Sequence, residues 1–551
     1  MLFDWSSSWG TSVLALSPSV ITAPGSACVE LGFLFATLSE VLLRGCLTLG
    51  LETWGRVCYN TPIIPLERSI AFMQKHKFPF KRYVLLVVVL YLIYAVSTAV
   101  IPAMLRKPIS EEFAASVSAA DFYGQEPCVD RAALVETPAE GLDTRLHILD
   151  EAAERIDVSY YAIHMGQTTD LFLGALLDAA ERGVQVRILV DAQFGGLTQS
   201  NSSYAAALGA HPNVELKIYN PVRVLKPWTW NGRLHDKYIL IDNRLLLLGG
   251  RNIGDKYFAP ESFEKELSLD RDVLIYNTAW DHPNTDSVLF RVREYMDEIW
   301  GGADTRLVFS EDTKKGMEKR QALLASYKQF RSDNAAHFDH TRDDYEAWTY
   351  PANRVSFVHN DAHIGIKEPK AGHTLGQLLL QAGKSVTLQS PYVILDPMLK
   401  DQLTQLGEKQ IDARILTNSV GSSPNPIACA AYYSDRNSIL NSGVSIWEYQ
   451  GENSIHAKSY VIDDRITAIG SYNLDPRSAY LDTELLIVID SPEFTAHFQQ
   501  VQDTYFQQAL HVGDTGNDNP STAVKARPVS IFKWILVYVL YLPVKLIKYL
   551  A

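Results

Sequence analysis

His235-Asp-Lys-Tyr-Ile-Leu-Ile-Asp242 and His456-Ala-Lys-Ser-Tyr-Val-Ile-Asp463 are two copies of one pattern, H-x-K-x4-D. Each runs on to a second shared element, Gly249-Gly-Arg-Asn252 in the first copy and Gly470-Ser-Tyr-Asn473 in the second. Lys stands at +2, Asp at +7, Gly at +14 and Asn at +17 from the histidine in both. One such pattern can arise by accident; two that agree at every further position mark a duplication. The +2 spacing reads as a strand, because residues i and i+2 of a strand face the same side. His235 therefore projects with Lys237 and His456 with Lys458, while Asp236 and Ala457 point away. The stretches RLLLLGG and ITAIGS predict a second strand and a tight turn that returns Asn252 and Asn473 beside each pair.

The duplication extends upstream. LHILDEAAERI (146–156) reads as helix, DVSYYAI (157–163) as strand, LFLGALLDAAERG (171–183) as helix, then VQVRILVDA (184–192) and VELKIYNP (214–221) as strands. The second half follows the same order with LGQLLLQAG (375–383), SVTLQSPYVI (385–394), PMLKDQLTQLGEKQ (397–410), DARILTNS (412–419) and VSIWEYQ (444–450). Helical 3.6-residue periodicity alternating with short β-branched runs predicts an α/β fold in each half. The halves are expected at 130–310 and 351–500, joined by a charged helical connector at 311–350 that contains EDTKKGMEKRQALLASYKQF.

Two such halves facing each other would place two imidazoles, two ammonium groups and two amides around one pocket. Lysines and amides suit phosphate oxygens, and paired histidines suit a nucleophile with an acid–base partner. The chain carries 50 Lys+Arg against 63 Asp+Glu, a net charge of −13, which opposes non-specific binding along nucleic acid. Five cysteines without C-x-x-C spacing exclude a disulfide framework and a cysteine zinc site.

Tyr83–Leu105 is an uncharged run of 23 residues. As a helix it reaches about 34 Å, enough to cross a hydrocarbon core of about 30 Å. Lys75, Lys77, Lys81 and Arg82 precede it, and only Arg106 and Lys107 follow before Glu111 and Glu112. The bias of positive charge predicts an uncleaved single-pass anchor with its N-terminal flank cytoplasmic and the catalytic halves outside. Residues 1–72 show no sustained period and read as a poorly ordered extension, with Met73 an expected start. WILVYVLYLPV (534–544), bracketed by Lys533, Lys545 and Lys548, covers only about 16 Å as a helix. The region 529–551 is therefore expected to lie along the membrane interface.

The paired motifs resemble the phospholipase D superfamily. GGRNIGDKYF (249–258), GSYNLDPRS (470–478), HPNVELKIYNP (211–221) and AAERGVQVRILVD (179–191) are similar to its bacterial cardiolipin synthase branch, the type-C enzymes in particular. The resemblance covers about residues 140–495. It implies a duplicated phospholipase D-like fold, two α/β sandwich halves sharing a pseudo-two-fold active site, behind the N-terminal transmembrane helix. It also implies transfer through a phosphohistidine without metal or cofactor, with His235 as nucleophile and His456 as acid–base. Lys237, Lys458, Asn252, Asn473 and Ser471 would hold phosphate oxygens, Asp272 and Glu484 would orient the histidines, and Asp242 and Asp463 would be structural. Gly250 departs from the family's Gly-Ser, where the second half has Ser471.

The expected function is phosphatidyl transfer between phospholipids at a cell membrane, with cardiolipin as product. Hydrolysis to phosphatidic acid and cleavage of nucleic-acid diesters are the alternatives. Among weaker candidates, His164 follows a strand where an active-site wall could lie, but an ordinary structural histidine is the favoured reading over a substrate contact. The loops QFGGLTQSNSS (193–203) and NSVGSSPNP (418–426) are expected to rim the pocket. His359 and His363 read as loop or core residues, and Cys128 and Cys429 as unbridged.

Overall fold

The computed structural model describes residues 80–198, 202–282, 286–308, 311–338, 342–513 and 524–550. The extension expected at 1–72 and the flank residues Lys75 and Lys77 lie outside the described residues.

Two large mixed sheets repeat one strand order. In the first, strands run Tyr350–Pro351, Asp130–Val135, Asp272–Asn277, Leu245–Gly249, Lys237–Ile241, Arg155–Tyr160, Gln185–Asp191, Val214–Tyr219 and Thr305–Leu307. In the second they run Arg354–His359, Leu485–Asp490, Ile466–Gly470, Lys458–Ile462, Ser385–Gln389, Asp412–Asn418, Ser445–Tyr449 and Ala509–His511. Beyond the short Tyr350–Pro351 edge, each strand of one sheet has its counterpart in the other. The duplication thus begins at Asp130 and Arg354, before the first repeat visible in the sequence.

Period-2 alternation explains why the motif strands look uniformly apolar. Leu245 and Leu247 face a core shared with the helices of the first half. Leu246 and Leu248 face a second core that also takes in Val461, Ile469, Leu485 and Ile487 from the other half. Both faces of these strands are buried, so hydrophobic and polar residues do not alternate. The sheets meet through that shared core, and residues from Val89 onward form one compact unit.

One expectation needs adjusting. The first helix runs Pro138–Asp150, not through Ile156; Thr137 caps its start in a reciprocal capping box, and the strand begins at Arg155. Asp242 supplies the reason, since its carboxylate accepts hydrogen bonds from the amides of Ala153, Glu154 and Arg155 and holds that segment as a turn. The connector region holds the helix Lys314–Asp333, which packs on the first half. Leu323 and Tyr327 are fully buried in the first half's core, and Gly174 lets the helix approach, because a Cβ there would lie 2.4 Å from the Leu323 carbonyl oxygen.

Phe80–Met104 is one apolar helix, long enough to cross a membrane, and most of its large side chains are exposed. The helix Ile531–Ile547 lays Val537 and Val544 against Cys429, Ala430 and Ala431, while Phe532, Leu542 and Leu546 on its other face are exposed. Cys128 and Cys429 are free thiols.

Candidate active site

His235 and His456 each stand two residues before a motif strand, and both lysines fold back toward them. Lys237 Nζ donates to the His235 carbonyl at 2.6 Å. Lys458 Nζ donates to the His456 carbonyl and lies 3.0 Å from His456 Nδ1. The halves then exchange carboxylates. His235 Nδ1 is 2.9 Å from Glu484 Oε1 of the second half, and His456 Nδ1 is 2.5 Å from Asp270 Oδ2 of the first. With Nδ1–H given to the carboxylate, each ring keeps its Nε2 lone pair for chemistry, the arrangement that makes a positioned histidine a nucleophile or base.

Backbone contacts fix this crossover. Ser454–Ile455 pairs in parallel with Ser268–Leu269, and the His456 amide donates to the Leu269 carbonyl at 2.6 Å. On the other side the His235 amide donates to Thr483 Oγ1 at 2.9 Å, and the Thr483 amide donates to the Arg233 carbonyl at 3.0 Å. Thr483 in turn donates to Asp236, so the variable residue of the motif points away from the pocket yet ties the halves together.

Asp270 therefore occupies the position expected for Asp272. Strand register explains the shift. Gly249 pairs with Asp272, whereas Gly470 pairs with Leu486, so the first-half equivalent of Glu484 lies two residues before Asp272. Asp272 instead accepts from Arg251 at 2.7 Å and contacts Arg145 at 3.0 Å, all three side chains being buried. Asp272→Ala should leave two buried guanidinium groups without their anion and cost about 3–5 kcal/mol of stability. Urea denaturation of the parent, Asp272→Ala and Asp270→Ala checks this, and an Asp272→Ala midpoint equal to the parent's would refute it.

Ser471 also departs from expectation. Its hydroxyl donates to Glu484 Oε2 at 2.5 Å and accepts from the Leu485 amide, and Ser478 donates to Glu484 Oε1 at 2.6 Å. Ser471 thus braces the carboxylate behind His235 rather than facing a phosphate. The first half cannot repeat this device, because a Cβ on Gly250 would lie 2.2 Å from Asp270 Oδ1. The shorter aspartate occupies the space a serine would need.

Asn252 accepts from the Ala162 amide at 3.2 Å and donates to the Tyr257 hydroxyl at 3.0 Å. Asn473 Oδ1 is buried and has no hydrogen-bond partner among the described residues. Asp242 and Asp463 sit at the far ends of the motif strands. Asp463 takes the amides of Gly383, Lys384 and Ser385, as Asp242 does those of 153–155, and both adopt positive φ, 50° and 52° for Asp242 and Asp463.

Aromatic rings surround the two histidines. Tyr161 meets His235 edge-on at 5.0 Å and Phe194 at 5.1 Å, bringing the 193–203 loop to the site, although 199–201 lie outside the described residues. Tyr257 meets His456 edge-on at 6.0 Å and stacks with His164 at 6.5 Å, so His164 is one ring removed from His456. Asn418, at the start of the other rim loop, donates to the Ile455 carbonyl and accepts from its amide, supporting the backbone before His456. His359 packs against Tyr295 and Phe357 with its Nδ1 at its neighbour's carbonyl, away from the motif histidines.

The sequence reading did not find Asp270, Thr483, or Arg477 and Lys256. The last two each stand four residues after a motif asparagine. Arg477 is held by Asp482 at 2.8 Å, and its charge acts on His235. The shared +4 offset was the available signal for this pair. No such signal existed for Asp270, because 18 residues separate it from Asn252 against 11 between Asn473 and Glu484.

Burial and crowded positive charge set the protonation states. Burial, then Lys237 and Lys458, push His235 well below the usual histidine value, and His456 is lowered to about 4 by burial and Lys458 against the pull of Asp270. Lys237 is lowered to about 7 by burial and by Lys458. Burial works to raise Asp270, but Lys458 and His456 outweigh it and keep the carboxylate ionised; Glu484 is raised by burial. An anion placed among these groups would raise the lysines and histidines again, so anion binding should take up protons. Affinity should be highest below pH 7 and fall as pH rises through the Lys237 value of about 7. Calorimetry of orthovanadate binding in buffers of different ionisation enthalpy measures the uptake. Proton release, or affinity that rises above neutrality, would contradict this account.

Comparison with known proteins agrees with this geometry. The family model described as "Cardiolipin synthase, PLD-like domain" matches residues 146–300 and 375–506, one block per half. A Helicobacter pylori protein of uncharacterised function is 27% identical over 425 residues, covering 70% of this chain and 82% of that one. Cardiolipin synthase C of Escherichia coli is 26% identical over 394 residues, covering 65% and 80%. The crystal structure of a phosphatidylserine synthase from Haemophilus influenzae superposes with a TM-score of 0.54 at 17% identity, over 76% of this chain and 95% of that one. The two matched blocks span more than half of the chain, and each carries one of the histidine–lysine motifs whose histidines meet a carboxylate of the other half. The chain belongs to the cardiolipin synthase family of phospholipase D-like enzymes, of the phosphatidyltransferase type.

Proposed function

We propose that the protein is a membrane-anchored phosphatidyltransferase that makes cardiolipin through a phosphohistidine. The observation that carries this reading is the reciprocal pairing of His235 with Glu484 and His456 with Asp270 in one lysine-lined pocket. His235 Nε2 attacks the phosphorus of a phospholipid, forming the N–P bond as the P–O bond to the headgroup alcohol breaks. His456 gives its proton to the departing alkoxide. The acceptor hydroxyl, on the glycerol of a phosphatidylglycerol, then returns a proton to His456 and attacks the phosphohistidine, freeing His235. Lys237, Lys458, Asn252 and Asn473 hold the non-bridging oxygens through both steps. The division of roles follows from the partners. Burial and the lysines keep both rings neutral in the free enzyme; a bound phosphate diester raises them again, and Asp270, which stays ionised and opposes the fall of His456, then favours the proton there while His235 attacks.

The apolar helix Phe80–Met104 anchors the enzyme, with Lys81 and Arg82 on the cytoplasmic side and the catalytic halves outside. Protease added to intact spheroplasts should cut beyond Lys107; cleavage only after lysis would reverse the orientation. For the reaction, purified protein in vesicles of phosphatidylglycerol with phosphatidylethanolamine should accumulate cardiolipin. Phosphatidic acid as the sole product would make the enzyme a hydrolase. Chirally labelled phosphorus should emerge with net retention, and inversion would remove the covalent intermediate.

A further inference from the structure

The segment Pro221–Trp230, PVRVLKPWTW, joins the strand Val214–Tyr219 to the residues just before His235. It exposes a dense apolar cluster: Leu225 is 77% exposed, Val224 59%, Val222 57% and Trp228 41%. The backbone beneath is well held, since Asn220 donates to the Thr229 and Gly232 carbonyls and the Trp230 indole to the Arg223 carbonyl. A braced loop with its large aliphatic side chains turned outward is a surface built to be covered.

Its neighbour indicates what covers it. The Tyr91 hydroxyl donates to the Val224 carbonyl at 2.9 Å and the Tyr94 hydroxyl to the Leu225 carbonyl at 3.0 Å. Asn231 donates to the Ala99 carbonyl at 2.6 Å, and Ala95 and Ala103 are buried. The loop therefore lies along the apolar helix rather than at its end. Tyr94 precedes Met104 by ten residues, so the loop tip sits about 15 Å back along the helix axis from its C-terminal end. A hydrocarbon core is only about 30 Å thick, so a helix that spans it carries this tip to the membrane. Composition agrees, with aliphatic residues at the tip, Lys226 exposed beside them and tryptophans at 228 and 230, the set that sits at the boundary of acyl chains and headgroups.

We propose that Pro221–Trp230 inserts into the lipid surface as a second membrane contact beside the catalytic region, to which it is tied where Arg477, whose charge acts on His235, donates to the Asn231 carbonyl. Leu225 and Val224 enter the acyl region, and Lys226 beside them extends its ammonium from a lipid-buried aliphatic stem toward the phosphates. The consequence is lateral supply: phospholipids reach His235 from the leaflet without crossing water. This rests on the helix Phe80–Met104 being the membrane anchor.

The test places an environment-sensitive NBD label on the full chain, with its native cysteines replaced, at Leu86→Cys in the anchor, Leu225→Cys at the tip or Met317→Cys on the connector helix. Each protein is reconstituted in phosphatidylglycerol–phosphatidylethanolamine vesicles with and without nitroxide-labelled lipids. The proposal expects blue-shifted emission and lipid quenching at 86 and 225, with an aqueous signal at 317. Quenching at 86 with an aqueous or unquenched label at 225 overturns the inserted loop and leaves the anchor intact. Aqueous labels at both 86 and 225 overturn anchor and loop together. In the unlabelled chain, Leu225→Asp should lower turnover on vesicles by about tenfold or more, given the cost of placing a carboxylate in lipid; unchanged turnover would also overturn the proposal.

Discussion

His235→Ala is expected to abolish turnover of every substrate, whereas His456→Ala should fail only where the departing alcohol needs a proton. The two rings are related by duplication, yet their surroundings differ in one respect that matters. His456 faces Asp270, a carboxylate kept ionised by Lys458, while His235 faces Glu484, whose carboxyl is raised by burial and already takes hydrogen bonds from Ser471 and Ser478. An ionised partner supports an imidazolium and so favours acid catalysis at His456. On natural phospholipids each alanine variant should lose at least about 10⁴-fold, since acid–base and nucleophilic roles each contribute on that scale. With a p-nitrophenyl phosphodiester the leaving group departs as the anion. His456→Ala should then still form the phosphoenzyme at His235 and stall there, releasing one equivalent of nitrophenol, while His235→Ala releases none. A burst from His235→Ala with label at His456 would reverse the assignment.

Asp270→Asn should reduce turnover nearly as much while leaving the fold intact. The amide can still accept from His456 Nδ1 but can no longer stabilise the imidazolium, and it can present its NH₂ instead, which favours the wrong tautomer. Replacing the carboxylate behind a catalytic histidine in this way costs about 10⁴-fold in a serine protease triad. A merely structural role would lower activity and stability together. The proposed positioning role predicts that the acid limb of the pH profile moves, because His456 loses the anion that raises its pKa. Asp272→Asn, two residues away, should show the opposite split, a large loss of stability with the pH profile of the surviving folded fraction unchanged. Equal pH profiles for Asp270→Asn and the parent would show that Asp270 does not act through His456.

Much of this architecture was legible before any coordinates. The matching offsets of His, Lys, Gly and Asn in two copies identify the duplication, because a strand–turn–strand of fixed length leaves little freedom in spacing. Those offsets also identify which side chains share a face, and the uncharged run before Arg106 identifies an apolar helix from length alone. Partners across the halves were not legible. Asp270 and Glu484 lie at different distances from their asparagines, and the outer loops of the duplicated halves have drifted in length. Chain spacing cannot therefore indicate which carboxylate meets which ring. Strand register and the short parallel pair Ser268–Leu269 with Ser454–Ile455 make that choice. The same holds for Ser471, which resembles a phosphate ligand in the sequence but is claimed by Glu484, and for Pro221–Trp230, whose place beside the helix of Tyr91 and Tyr94 no spacing in the sequence indicates. The sequence by itself determined the parts within each half, where neighbours along the chain are neighbours in space. Only the tertiary structure decided what faces what between the halves and along the helix, because those contacts join segments more than a hundred residues apart and depend on how two folded surfaces pack.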